Sequence, residues 1–172
     1  MGGAWALTAQ GPEGTVSLGE ALGARLEAGD VVALYGPPGA GKTTLVQGLA
    51  RGLGAGERAV VSPTFVYVRE VAGGRLPLYH VDLYRLAERR EGAAALVEQL
   101  GLDWYFDAGG VVAVEWPEPI EAWLPPARFV VRLDFADGGR ARRIRLEALG
   151  ERPAGVLRAL AASAGWEPVE GP

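Results

Sequence analysis

Cysteine is absent from the 172 residues, histidine occurs once, and a single lysine stands among 17 basic residues. Without cysteine there is no disulfide framework. No apolar run approaches bilayer-spanning length, and the start Met1-Gly2-Gly3-Ala4-Trp5 lacks the charged-then-apolar pattern of a secretory signal. A cytoplasmic protein with no membrane association is therefore expected. The net charge of −4 argues against a chain that wraps nucleic acid by itself, because such binding rests on neutralising many phosphates. A chain of this length forms one ordinary domain that buries about 70% of its unfolded surface, with no linker. Residues 1–165 are expected to form it, with 166–172 as a frayed tail.

The one lysine, Lys42, lies in Gly36-Pro37-Pro38-Gly39-Ala40-Gly41-Lys42-Thr43, which matches the phosphate-loop pattern G-x-x-x-x-G-K-[ST] at every fixed position. A shuffled chain of this composition would produce the match about once in a thousand times. A compact ammonium on a flexible stem suits the gap between β- and γ-phosphates, and the planar arginine fork does not. Val31 to Tyr35 before the loop reads as a buried strand, and Thr44 to Leu53 after it carries leucines at helical spacing. Strand, glycine loop and helix form the order in which backbone N–H groups and a helix N-terminus converge on phosphate.

Along the chain, Ser17 and Glu20 read as a capping box that opens a short helix with Leu18, Ala21, Leu22 and Leu26 on its apolar face. Gly52 and Gly54 read as stop signals, and Val60-Val61 as the start of an extended segment. Phe65 to Val71 and Arg75 to Val81 form an expected hairpin, and Glu91 to Leu100 an expected helix. Val111 to Val114 is again buried-strand material. Phe129 to Phe135 and Arg140 to Leu146 make a second hairpin around Asp137-Gly138-Gly139. Pro153 is placed at the first position of a C-terminal helix carrying Val156, Leu157 and Leu160. The two hairpins within a strand–helix pattern predict an α/β fold whose sheet is mixed parallel and antiparallel.

A phosphate-loop enzyme needs a hydroxyl and acidic groups near Mg²⁺. Thr43 supplies the hydroxyl, and Asp82 and Glu115 stand at the ends of their strands. Glu115 has the sharper pattern, four apolar residues running straight into a carboxylate. Thr64 in Ser62-Pro63-Thr64-Phe65 is placed like a switch residue that could sense the γ-phosphate, although an ordinary proline turn explains the same residues. His80, in an alternating strand, reads as a packed or hydrogen-bonded structural residue. Arg140, Arg142, Arg143 and Arg145 read as a solvated strand face, with contact to RNA or an acidic partner as the alternative.

These elements together resemble the TsaE (YjeE) family. The resemblance runs from about residue 15 to 147 and rests on Gly36 to Thr44, Ser62 to Phe65, His80-Val81-Asp82-Leu83-Tyr84-Arg85-Leu86, Leu100 to Phe106, and Val114-Glu115-Trp116 followed by Leu124-Pro125. It implies a single-domain P-loop NTPase core with helices flanking a mixed sheet. It also implies a slow ATPase that works with TsaC, TsaD and TsaB to make N6-threonylcarbamoyladenosine (t6A) beside the tRNA anticodon. ATP and Mg²⁺ would be its cofactors, the TsaD–TsaB pair its partner, and tRNA would be met only through that complex.

By the same resemblance, Gly36, Gly39, Ala40, Gly41, Lys42, Thr43, Thr44 and Thr64 bind the nucleotide. Thr43, Asp82 and Glu115 serve the metal, and Lys42, Asp82 and Glu115 serve hydrolysis. The chain departs from the family at Pro37-Pro38, which offer no N–H, so phosphate contacts are expected from Gly39 to Thr44. A GTPase is disfavoured because its guanine motif needs a lysine and none remains. A small-metabolite kinase is the runner-up, with Arg85, Arg89 and Arg90 as candidates for its lid.

Overall fold

Val31–Tyr35 (β2) and Val111–Glu115 (β5) are buried along their whole length, as strands sandwiched between two helical layers must be. They pair in parallel near the centre of the sheet. The computed structural model describes residues 3–56, 60, 67–89 and 92–170. In it the remaining strands are Ala4–Gln10 (β1), Val68–Val71 (β3), Leu78–Asp82 (β4), Arg128–Ala136 (β6), Ala141–Leu149 (β7) and Glu167–Val169 (β8). Among the described residues these make an eight-stranded sheet of order β3-β4-β5-β2-β6-β7-β1-β8. The helices are Gly11–Gly23 (α1), Lys42–Gly52 (α2), Tyr84–Arg89 (α3), Ala93–Leu100 (α4), Leu102–Phe106 (α5) and Glu151–Ala164 (α6).

Strands β4, β5, β2 and β6 run parallel, whereas β3, β7, β1 and β8 pair antiparallel around them. The fold is thus α/β with a mixed sheet, and both expected hairpins are present as β3–β4 and β6–β7. Period-2 alternation divides the core. Val32, Leu34, Val111 and Ala113 face α1, α2 and α6, whereas Val31, Ala33, Val112 and Val114 face α3, α4, α5 and the short 3₁₀-helix Glu118–Trp123. The same alternation turns His80, Asp82 and Glu115 to the α2 side.

Helix α2 is seated by backbone approach. A Cβ added at Gly19 or Gly23 of α1 would strike the carbonyls of Leu45 and Leu49, and one at Gly48 or Gly52 of α2 would strike those of Val16 and Glu20. Two Gly-x-x-x-Gly faces therefore press α1 against α2, and Gly52 is a packing residue within α2 as well as its last residue.

Three expectations are corrected. Helix α1 starts at Gly11, not Ser17. Pro12 presets the first turn, and Glu20 pairs with Arg51 of α2 at 3.2 Å instead of closing a capping box. Pro153 is the third residue of α6, behind Gly150 as N-cap. Within the expected tail, residues 167–169 are a paired strand: β8 pairs with Ala4–Ala6 of β1, and Arg145 donates to the Glu170 carbonyl at 2.8 Å. Val61, Phe65, Glu91 and the last two residues of the tail lie outside the described residues.

Candidate functional site

The loop between β2 and α2 owes its shape to glycines at positive φ: Gly36 at 146°, Gly39 at 77° and Gly41 at 104°. A Cβ at Gly36 would also run into the Leu133 carbonyl of β6. Gly41 is the N-cap of α2 and has no side chain with which to cap it, so the first N–H groups of the helix remain available to an acceptor at its N-terminus. The cradle is of the kind that holds a phosphate group by N–H donors and the helix dipole.

Lys42 opens α2 and is 4% exposed. Its Nζ donates to the carbonyls of Gly36 at 2.5 Å and Pro37 at 2.9 Å, and lies 4.1 Å from the centre of the Trp116 ring. Burial lowers its pKa below the usual lysine value, against the opposing pull of Glu115, Asp82 and Glu118. The chain thus fixes its single lysine amine at the base of the loop, between two carbonyls and a ring face. Trp116 adopts φ 56°, an uncommon backbone state for a bulky residue, and its ring also meets Tyr84, centre to centre, at 5.1 Å.

Thr43 and Glu115, 72 residues apart in sequence, meet directly. The threonine Oγ1 donates to Glu115 Oε1 at 2.8 Å. That carboxylate is 3% exposed, at the C-terminal end of β5 where the parallel sheet opens. His80 from β4 reaches the same oxygen through Nε2 at 2.7 Å and is itself fully buried. Its other ring nitrogen, Nδ1, has no hydrogen-bond partner among the described residues. A carboxylate only accepts, so the ring N–H is placed at Nε2 and the histidine holds the same oxygen that Thr43 holds.

Asp82 stands opposite Glu115 in the β4–β5 register, and its Oδ1 accepts the Tyr84 N–H at the start of α3 at 3.0 Å. The structure thus brings Lys42, Thr43, Asp82 and Glu115 to one end of the sheet. Thr44, the next residue of α2, is half-buried. Thr64 lies outside the described residues, as does Arg90.

His80, expected from the sequence to be a packed or hydrogen-bonded structural residue, is buried and hydrogen-bonded, and its partner is the candidate catalytic carboxylate. The available signal was its spacing two residues before Asp82, which puts both on the same strand face. The basic run breaks up: Arg140 pairs with Asp137 at 2.9 Å, Arg145 with Glu147 at 2.9 Å, and Arg142 turns toward the phosphate loop. Arg143 is exposed.

Residues 9–144 match the family model described as threonylcarbamoyl adenosine biosynthesis protein TsaE. The chain is 43% identical over 141 residues to the tRNA threonylcarbamoyladenosine biosynthesis protein TsaE of Bacillus subtilis, which covers 82% of this chain and 84% of that one. It is 44% identical over 140 residues to the protein of the same name from Streptomyces coelicolor, covering 78% and 90% of the two chains. The crystal structure of YdiB from Bacillus subtilis superposes with a TM-score of 0.77 at 34% identity, over 95% of this chain and 98% of that one. With the phosphate loop, the Glu115–Trp116 strand end and the mixed sheet in the same molecule, the chain belongs to the TsaE family of tRNA threonylcarbamoyladenosine biosynthesis proteins.

Proposed function

We propose that this protein binds ATP with Mg²⁺ and hydrolyses it in support of t6A formation on tRNA. The observation that carries the reading is the 2.8 Å bond from Thr43 to the buried Glu115 beside a glycine cradle and a buried lysine. A hydroxyl and a carboxylate are the hard oxygen donors that Mg²⁺ takes. Among the described residues there is no group of three or more His, Cys, Asp or Glu able to hold a metal alone. A site of this kind suits an ion that keeps its waters and shares the oxygens of a nucleotide.

The N–H groups from Gly39 to Thr44 would hold the phosphates, and Lys42 would supply the charge between the β- and γ-groups. Thr43 and Glu115 would hold Mg²⁺, which when bound neutralises charge on the phosphoryl group being transferred. Glu115 would also orient a water for attack on the γ-phosphorus, with His80 holding the carboxylate and Asp82 beside it on the adjacent strand. Trp116 covers the lysine and shields that charge from water.

Calorimetric titration tests the nucleotide. ATP with Mg²⁺ is expected to bind more tightly than GTP, and Lys42→Ala to weaken ATP by ~1.5–3 kcal/mol, the range for a hydrogen bond to a charged group. Lys42→Arg is expected not to restore it. Equal or tighter GTP binding, or a fully active Lys42→Arg variant, counts against the reading. Phosphate passing to an added metabolite instead of appearing free would favour the kinase.

A further inference from the structure

A loop shaped by glycines has no side chains of its own to lock it, and glycine pays little strain to leave a left-handed conformation. The structure supplies the lock from outside. Arg142 of β7 donates from Nε to the Ala40 carbonyl at 2.9 Å and from one terminal nitrogen to the Gly39 carbonyl at 3.1 Å. Its other terminal nitrogen donates to the carbonyls of Gly139 at 2.7 Å and Ala141 at 3.0 Å. The guanidinium lies 4.7 Å from the centre of the Phe135 ring of β6. One planar fork thus ties residues 39–40 of the loop to the end of the β6–β7 hairpin.

The N–H and C=O of one peptide plane point in opposite directions. Holding the Gly39 carbonyl fixes the plane that carries the Ala40 N–H, which closes onto the Pro37 carbonyl at 3.2 Å. Holding the Ala40 carbonyl turns the Gly41 N–H away from the guanidinium. Pro37 is also a carbonyl that Lys42 uses, so the arginine, the turn and the lysine share one framework.

We propose that Arg142 is a positioning residue for the phosphate-binding loop, setting the peptide planes at residues 39–41 before nucleotide arrives. The inference rests on the nucleotide reading above and adds a residue from the opposite end of the chain to it. Lysine cannot replace this arginine, since one ammonium cannot hold carbonyls on both the loop and the hairpin in a fixed plane.

The test compares wild type, Arg142→Lys and Arg142→Gln. Hydrogen–deuterium exchange at the Ala40 amide is measured without nucleotide, alongside the Kd for ATP, kcat and the melting temperature. Both variants are expected to melt near wild type, exchange Ala40 about tenfold faster and bind ATP about tenfold more weakly, with kcat at saturating ATP little changed. Wild-type exchange and affinity in Arg142→Gln would overturn the proposal. So would full affinity in Arg142→Lys, which would leave charge as the whole effect, or variants that do not fold, which would make Arg142 a general stabilising residue. A wild-type protein that binds no ATP would defeat the nucleotide reading instead, while Ala40 exchange would still report on the brace.

Discussion

Glu115 Oε1 receives both Thr43 and His80, so the carboxylate is held from the loop helix and from the neighbouring strand at once. Removing an interaction made chiefly in the transition state lowers kcat with little loss of ground-state binding. Glu115→Ala is accordingly expected to reduce ATP turnover by about a hundredfold or more, with ATP affinity much less affected. His80→Gln, which keeps an N–H donor, is expected to retain more of kcat than His80→Leu. Unchanged kcat in Glu115→Ala would remove it from the mechanism and leave Asp82 as the main acid. That Lys42, Thr43 and Glu115 stand at one end of the sheet was legible from sequence, because the glycine loop fixes the first two locally and a continuous apolar strand delivers the third at its end. The His80–Glu115 contact was not, since it is made by the parallel pairing of strands whose residues lie 35 apart.

At the scale of elements, the position of α2 depends on how closely α1 approaches it. A methyl group at Gly48 would meet backbone of Val16, Gly19 and Glu20, atoms that cannot swing aside. Overpacking of this sort costs about 1–3 kcal/mol, so Gly48→Ala is expected to lower the melting temperature, whereas Gly73→Ala, with open space around it, should act only through its φ of 97°. A Gly48→Ala variant as stable as wild type would show that the two helices can separate without cost. The central strands were readable because burial on both faces makes them continuous apolar runs. Strands β1 and β8 were not, because they lie at the antiparallel end of the sheet and owe their extension to pairing with β7 and each other. The paired glycines at 19, 23, 48 and 52 did carry a signal in their spacing, but helix-stop readings at Gly52 masked it.

The whole molecule has a sheet whose parallel strands end at one site, a net charge of −4, and no described helix long and apolar enough to cross a membrane. Among the described residues several arginines make internal contacts: Arg142 at the loop, Arg145 at Glu147 and Arg152 at Asp30, 2.6 Å away. Free tRNA should therefore bind weakly, since each phosphate contact needs an available cation. On the proposed function, work on tRNA would fall to a partner complex, and a nucleotide could gate that association only if the partner distinguishes its states. The decisive measurement is the affinity of this protein for the TsaD–TsaB pair of the same organism with ATP, with ADP and with no nucleotide. Clear association with ATP and Mg²⁺ that weakens with ADP and without nucleotide is predicted; the same affinity in all three states would contradict a nucleotide-gated role in t6A formation.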